Sequence, residues 1–228
     1  MSKYTTLLFD ADSTLLDFKR SEYEAVADCL AKYGLPSDDK TIKKYAEIND
    51  SYWKMLERRE VTKPELFIGR WKSLIDFYGF DCNAQDIADS YSPALASKSY
   101  LIDGAEEICK SLYRKYKMFI VTNGFKVIQN ARFGTSPLTQ YFDDIFISEE
   151  IGHEKPSIEF FNEVEKRIPD FNRNSALIIG DSLTSDILGG IVAGIDTCWF
   201  NPNKKPAPAD MNITYTISKL QELQEILL

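Results

Sequence analysis

The sequence predicts an α/β protein, a doubly wound parallel sheet with an α-helical domain inserted after the first strand. Five short apolar runs, Leu7–Phe9, Met118–Val121, Ile145–Ile147, Ala176–Ile179 and Thr197–Phe200, are continuous rather than alternating, as in strands covered on both faces. Apolar residues recur at helical spacing between the later runs. More than a hundred residues separate the first two runs, too many for one crossover helix, and that stretch reads as helical.

Taken in order, the first run opens the sheet. The insert begins with a helix expected from Ser21, where Glu24 completes a capping box, with Tyr23, Val26, Leu30 and Tyr33 on one face and a stop at Gly34 and Pro36. A second helix is expected over 38–57, with Ile42, Tyr45, Tyr52 and Leu56 on its apolar side. A third starts near Pro64, carries Leu66, Phe67, Trp71, Leu74 and Tyr78, and ends at Gly79. A fourth follows Asn83 and is expected to stop before Pro93, since proline removes a helix donor. The aromatics Trp53, Phe67, Trp71 and Tyr78 read as bundle core rather than as a ligand pocket. Beyond the second run, Ala105, Ile108, Cys109 and Leu112, then Ile158, Phe161, Val164 and Ile168, mark helices of the sheet domain. The expected domains are therefore 1–16 with 97–228 for the core and 17–96 for the helical insert.

Composition narrows the classes. With 228 residues, 44% hydrophobic and 27% charged, the chain is globular, long enough for a core plus an insert. A net charge of -8 argues against a surface for nucleic acid polymers. Cys29, Cys82, Cys109 and Cys198 are widely spaced, with no C-x-x-C pair, and read as reduced thiols. No stretch approaches the ~18 apolar residues of a membrane span, and the first residues lack a secretory pattern. A soluble, cytoplasmic protein, monomeric or a small homo-oligomer, is expected.

In an open parallel sheet, ligands bind outside the carboxyl ends of the strands. There the sequence places Asp10 and Asp12 after the first run and Thr122-Asn123-Gly124 after the second. Ser148 to Lys155 follow the third run, and Gly180, Asp181 and Asp186 the fourth. Like charges ~4 Å apart repel by about 4 kcal/mol at an effective dielectric near 20, so such a set calls for a cation. Its oxygen-only chemistry suits Mg²⁺. A metal, a lysine and the Thr-Asn-Gly turn make a cradle for a phosphoryl group, and a carboxylate can serve as nucleophile.

The stretches "FDADSTLLDF", "VTNGF", "EEIGHEKP" and "GDSLTSDILGGIVAGIDTCWFN" resemble, in order, the four motifs of the haloacid dehalogenase superfamily. The D-x-D-x-T form of Asp10 to Thr14 resembles its phosphatase branch, and the finer pattern is similar to the bacterial pyrimidine 5'-nucleotidase group. That resemblance implies that Asp10 attacks phosphorus while Asp12 protonates the leaving alkoxide and then activates water. It also implies that Thr122, with the Asn123 backbone, and Lys155 hold the phosphoryl group. Asp10, the Asp12 carbonyl and Asp181 are implied to hold Mg²⁺, with Thr14 and Asp186 in support.

The expected substrate is a small phosphate monoester, foremost a nucleoside 5'-monophosphate with a pyrimidine base. A sugar phosphate or phosphoglycolate is the first alternative. A 2-haloacid dehalogenase has no use for Asp12, and a binding module would have lost some of Asp10, Asp12, Lys155 and Asp181. His153, the single histidine, reads as an exposed loop residue; Gly189, Gly190 and Gly194 read as packing or helix-end glycines; Phe125 is left unassigned.

Overall fold

The computed structural model describes residues 3–228. Six parallel strands, β1 (Thr6–Phe9), β2 (Lys117–Thr122), β3 (Asp144–Ile147), β4 (Ala176–Gly180), β5 (Asp196–Phe200) and β6 (Tyr215–Ile217), form one sheet in the order β3-β2-β1-β4-β5-β6. Helices α1 (Phe18–Lys32), α2 (Asp39–Glu57), α3 (Lys63–Tyr78) and α4 (Ala84–Ala96) fall between β1 and β2, followed by α5 (Ala105–Leu112). After β2 come α6 (Lys126–Thr135), α7 (Ser148–Ile151), α8 (Ile158–Arg167), α9 (Leu188–Ala193) and α10 (Leu223–Leu227). The chain forms two compact units, one of residues up to Asp17 with Tyr100–Leu228, the other Phe18–Ser99.

Successive strand residues bury on opposite faces, which explains the continuous apolar runs. Leu7, Phe9, Met118, Ile120, Leu177 and Ile179 join Ile108, Cys109 and Leu112 of α5 and Leu223 and Leu227 of α10 on one face. Leu8, Phe119, Val121, Phe146 and Ile178 meet Phe160, Phe161 and Val164 of α8 on the other. Glycines 189 and 190 let α9 lie close: a Cβ at Gly189 would meet Phe161 at 2.7 Å, and one at Gly190 would meet Ile178 and Thr197 at 2.6 Å. β6 has no counterpart among the expected strands, because three residues with Thr216 exposed make too weak a pattern. The helix α6 was likewise unmarked.

In the helical unit α1 packs against α4, and α3 against both α2 and α4. Asp38 caps α2 by accepting from the Thr41 N–H at 2.9 Å. Thr62 and Glu65 form a capping box on α3, which ends at Gly79 in left-handed conformation (φ 69°). Tyr45, Trp71 and Tyr91 pack ring to ring inside the bundle, the core role expected of Trp71. The same interior holds a polar chain: Arg70 Nη1 donates to Asn49 Oδ1 (2.8 Å), whose Nδ2 donates to Glu22 Oε1 (2.7 Å).

Two expectations about helix ends are corrected. α1 starts at Phe18, not Ser21: Ser21 is fully buried within it, Glu24 accepts from Arg20 instead of capping, and the Asp17 N–H, bonded to the Tyr100 carbonyl, fixes the chain just before the first turn. Tyr23, placed on the apolar face, is 45% exposed, while Ala25, Val26, Cys29 and Leu30 are buried. α4 runs through Pro93 to Ala96, because Tyr91 and Leu95 bury on either side of it and offset the missing donor.

The four cysteines are free, and three are buried. Burial pushes the Cys29 thiol up to about 11 and those of Cys109 and Cys198 up to about 12. Among the described residues, no helix is long and apolar enough to cross a membrane.

Candidate active site

The chain order reverses at β1, which is flanked by β2 and β4, so a crevice opens beyond their carboxyl ends. Phe9 is in register with Ile120 and Ile179, and the Asp10 N–H donates to the Ile179 carbonyl (2.8 Å), so Asp10 is the first residue past the ladder. A tight loop follows. The Leu15 and Leu16 N–H groups donate to the Ala11 carbonyl (3.0 and 2.9 Å), and Ser13 takes a left-handed φ of 64°, a strain of about 1 kcal/mol or more outside glycine. The loop returns Thr14 to donate from Oγ1 to Asp10 Oδ2 at 3.3 Å.

Lys155, 1% exposed, reaches the same point from the segment after α7. Its three N–H donors are all used, on Asp10 Oδ1 (2.8 Å), Asp186 Oδ1 (2.7 Å) and the Val121 carbonyl (2.6 Å). Burial alone would lower this ammonium, but the two carboxylates outweigh it and hold it above its ordinary value. Its backbone is clamped as well: Asn123 Nδ2 donates to the Lys155 carbonyl (2.8 Å), and the Lys155 N–H donates to Asn123 Oδ1 (2.9 Å). Pro156, after a cis peptide bond, lies outside α8, which Ser157 caps.

Asp186 sits on a π-helical turn, Leu183–Ile187, begun by Ser182, whose N–H donates to Asp186 Oδ2 (3.1 Å). Asp181 follows β4 directly, its carbonyl held by Trp199 Nε1 (3.0 Å); its carboxylate takes no hydrogen bond or ion pair from the described residues. Ligand oxygens of Asp10, Asp181 and Asp186 lie within 4.8 Å of one another. Burial first, then the neighbouring carboxylates, push Asp10 up to about 7 despite Lys155, and hold Asp181 well above the usual range. Three carboxylates with one ammonium leave the cluster short of positive charge, and its all-oxygen donors could hold a hard cation.

The fourth carboxylate stands apart. Asp12 turns to α6, where Arg132 Nη1 donates to its Oδ1 and Gln129 Nε2 to its Oδ2 (2.6 Å). Gln129 also donates to Thr122 Oγ1 (3.2 Å), which accepts from the Gly124 N–H too (3.0 Å). With both its lone pairs engaged, Thr122 has its O–H left to offer, a donor suited to an anionic oxygen. His153 is exposed, as expected.

Asp10, Thr14, Thr122, Asn123, Lys155, Asp181 and Asp186 thus converge on one edge. Gln129, Arg132 and the Asn123 side-chain clamp escaped the sequence reading. A Gln and an Arg three apart in an unmarked helix carry no signal until the fold brings them to residue 12, more than a hundred positions away.

A family model described as haloacid dehalogenase-like hydrolase matches residues 7–200. The chain is 40% identical over 227 residues to YfnB of Bacillus subtilis, a protein named for HAD-hydrolases rather than for a substrate, covering 100% of this chain and 97% of that one. A crystal structure of YfnB bound to magnesium, which reveals interdomain movement, superposes with a TM-score of 0.94 at 40% identity over 99% of each chain. The pyrimidine 5'-nucleotidase PynA of Streptococcus pneumoniae is 36% identical over 225 residues (98% of this chain, 95% of that one). The pyrimidine 5'-nucleotidase YjjG of Escherichia coli is 29% identical over 225 residues (99% and 98%).

Proposed function

Since the chain belongs to the haloacid dehalogenase-like hydrolases, we propose that it is a Mg²⁺-dependent phosphomonoesterase acting on nucleoside 5'-monophosphates, with pyrimidine nucleotides preferred. The observation that carries the chemistry is the division of labour between two carboxylates. Asp10 is held by Lys155 and Thr14 beside Asp181 and Asp186, whereas Asp12, two residues on, is held separately by Arg132 and Gln129. The pyrimidine preference rests on likeness to PynA and YjjG along nearly their whole lengths.

An Asp10 oxygen attacks phosphorus; the new O–P bond forms as the ester P–O bond breaks, and Asp12 gives its proton to the departing alkoxide. Asp12, now a carboxylate, takes a proton from water as that water attacks the aspartyl-phosphate, which releases inorganic phosphate and restores Asp10. Proton transfer of this kind is worth ~10²–10⁴ in rate. Lys155 favours the ionised form of Asp10, orients it and offsets charge on the phosphoryl oxygens, and the Thr122 hydroxyl donates to one of them. Asp10, Asp181 and the Asp12 carbonyl would hold Mg²⁺, with Asp186 behind them on Lys155. When bound, the cation supplies charge neutralisation for the transferring group.

The test is phosphate release with Mg²⁺ from a panel of nucleoside monophosphates, sugar phosphates and phosphoglycolate, using wild type and Asp10→Asn. The expected result is that UMP, dUMP or dTMP leads and the variant is inactive. A sugar phosphate in the lead would overturn the nucleotidase reading alone, and an active Asp10→Asn the aspartyl-phosphate route.

A further inference from the structure

We propose that Gln129 and Arg132 are positioning residues for the reaction, fixing the Asp12 carboxylate for its proton transfers with the substrate. The inference rests on the phosphomonoesterase reading above.

A fully buried arginine is costly unless its charge is met, and Arg132 has no exposed surface. Asp12 is an acidic group that meets it. Gln129, 1% exposed, supplies the second donor, so each Asp12 oxygen has its own, and rotation about the carboxylate is blocked. The two side chains leave α6 three residues apart on its buried face, beside Ile128 and Phe133, which anchor the helix. Room has been made for this: a Cβ on Gly124 would meet Gln129 Nε2 at 2.1 Å, so the glycine of the Thr-Asn-Gly turn is the space Gln129 occupies. Gln129 also bridges Asp12 to Thr122, fixing the proton-transfer group relative to the hydroxyl proposed to hold phosphate. A helix whose buried side chains serve only packing needs none of this.

The leaving group separates positioning from packing. An alkoxide must receive a proton as it departs, while p-nitrophenolate departs without one, so a misoriented Asp12 slows transfer from an alkyl phosphate much more than from p-nitrophenyl phosphate. The experiment compares kcat/KM for p-nitrophenyl phosphate and for the fastest alkyl phosphate of the panel, in wild type, Gln129→Met, Arg132→Met and Arg132→Lys. The alkyl value is expected to fall by about 30-fold or more in both methionine variants and the aryl value by less than about 3-fold, with Arg132→Lys recovering part of the loss. Equal falls for both substrates, or none, would overturn the assignment. Should Arg132→Met not fold, Gln129→Met alone decides. A wild type that cleaves neither ester overturns the reaction itself and this assignment with it; one that cleaves both while the variants fall in parallel overturns this assignment only.

Discussion

A methyl group is the smallest probe of the acidic edge of the sheet, and Gly180 is the place for it. A Cβ there would sit 2.3 Å from Asp186 Cγ, so Gly180→Ala must push the Asp186 carboxylate off Lys155. Crowding of this kind costs about 1–3 kcal/mol, and the displaced charge is expected to lower kcat by at least about tenfold. A wild-type kcat and thermal midpoint in that variant would show that Asp186 has room the structure denies it. The carboxylates and Lys155 were legible in the sequence because strand ends and acidic spacing announce them. Gly180 was not, since its significance lies in the volume of a side chain six positions on. Arg70, buried at 2% among the helix aromatics, was missed for a related reason: a basic residue on an apolar helix face reads as exposed until its carboxamide and carboxylate partners are placed around it.

At the level of elements, the sequence reading started α3 near Pro64 and passed over its cap, although that cap is local. Thr62 and Glu65 are three residues apart, and the box is visible without tertiary information; Thr62→Ala is expected to destabilise the protein by about 1 kcal/mol, measured by denaturant unfolding at pH 7. The bonds from Thr62 hold the Glu65 carboxyl below its ordinary value. A group with a depressed folded-state pKa stabilises above its unfolded value of 4.5 and loses that contribution as pH falls through the folded one. The gap between wild type and Glu65→Gln should accordingly close in acid, and a gap that persists at pH 3 would place the effect elsewhere. Where tertiary packing decides, local reading failed. Ser21 and Glu24 have capping-box spacing, yet the helix starts earlier because the Asp17 backbone is already fixed. Pro93 signals a stop, yet Tyr91 and Leu95 carry the helix past it.

For the whole molecule, the decisive quantity is the charge left over at the sheet edge. Asp10 has its folded-state pKa raised from 3.8 to about 7, so the metal-free protein binds that proton more tightly when folded and loses stability as pH rises between those values. Mg²⁺ relieves the same repulsion and competes with protons for the same oxygens. Thermal melts should therefore show stabilisation by Mg²⁺, about 2.7 kcal/mol at a hundredfold excess over Kd, which at one fixed Mg²⁺ concentration is larger at pH 8 than at pH 6 and is lost in Asp181→Asn. No shift on adding Mg²⁺ would refute the site. The strand layout that carries this edge was largely legible, because continuous apolar runs and one long helical gap admit few other solutions; the short sixth strand and the helices α6, α7, α9 and α10 went unmarked. One detail of the joint has a wider bearing. Leu16 pairs antiparallel with Leu101, and the Asp17 and Ile102 N–H groups donate to Tyr100 and Leu15, so the two connections to the helical unit leave the sheet domain side by side, zipped into a two-stranded stem. The sheet domain thus closes its own backbone hydrogen bonds at the root of the insert, so the loop that carries Asp10 and Asp12 is tied down from within that domain.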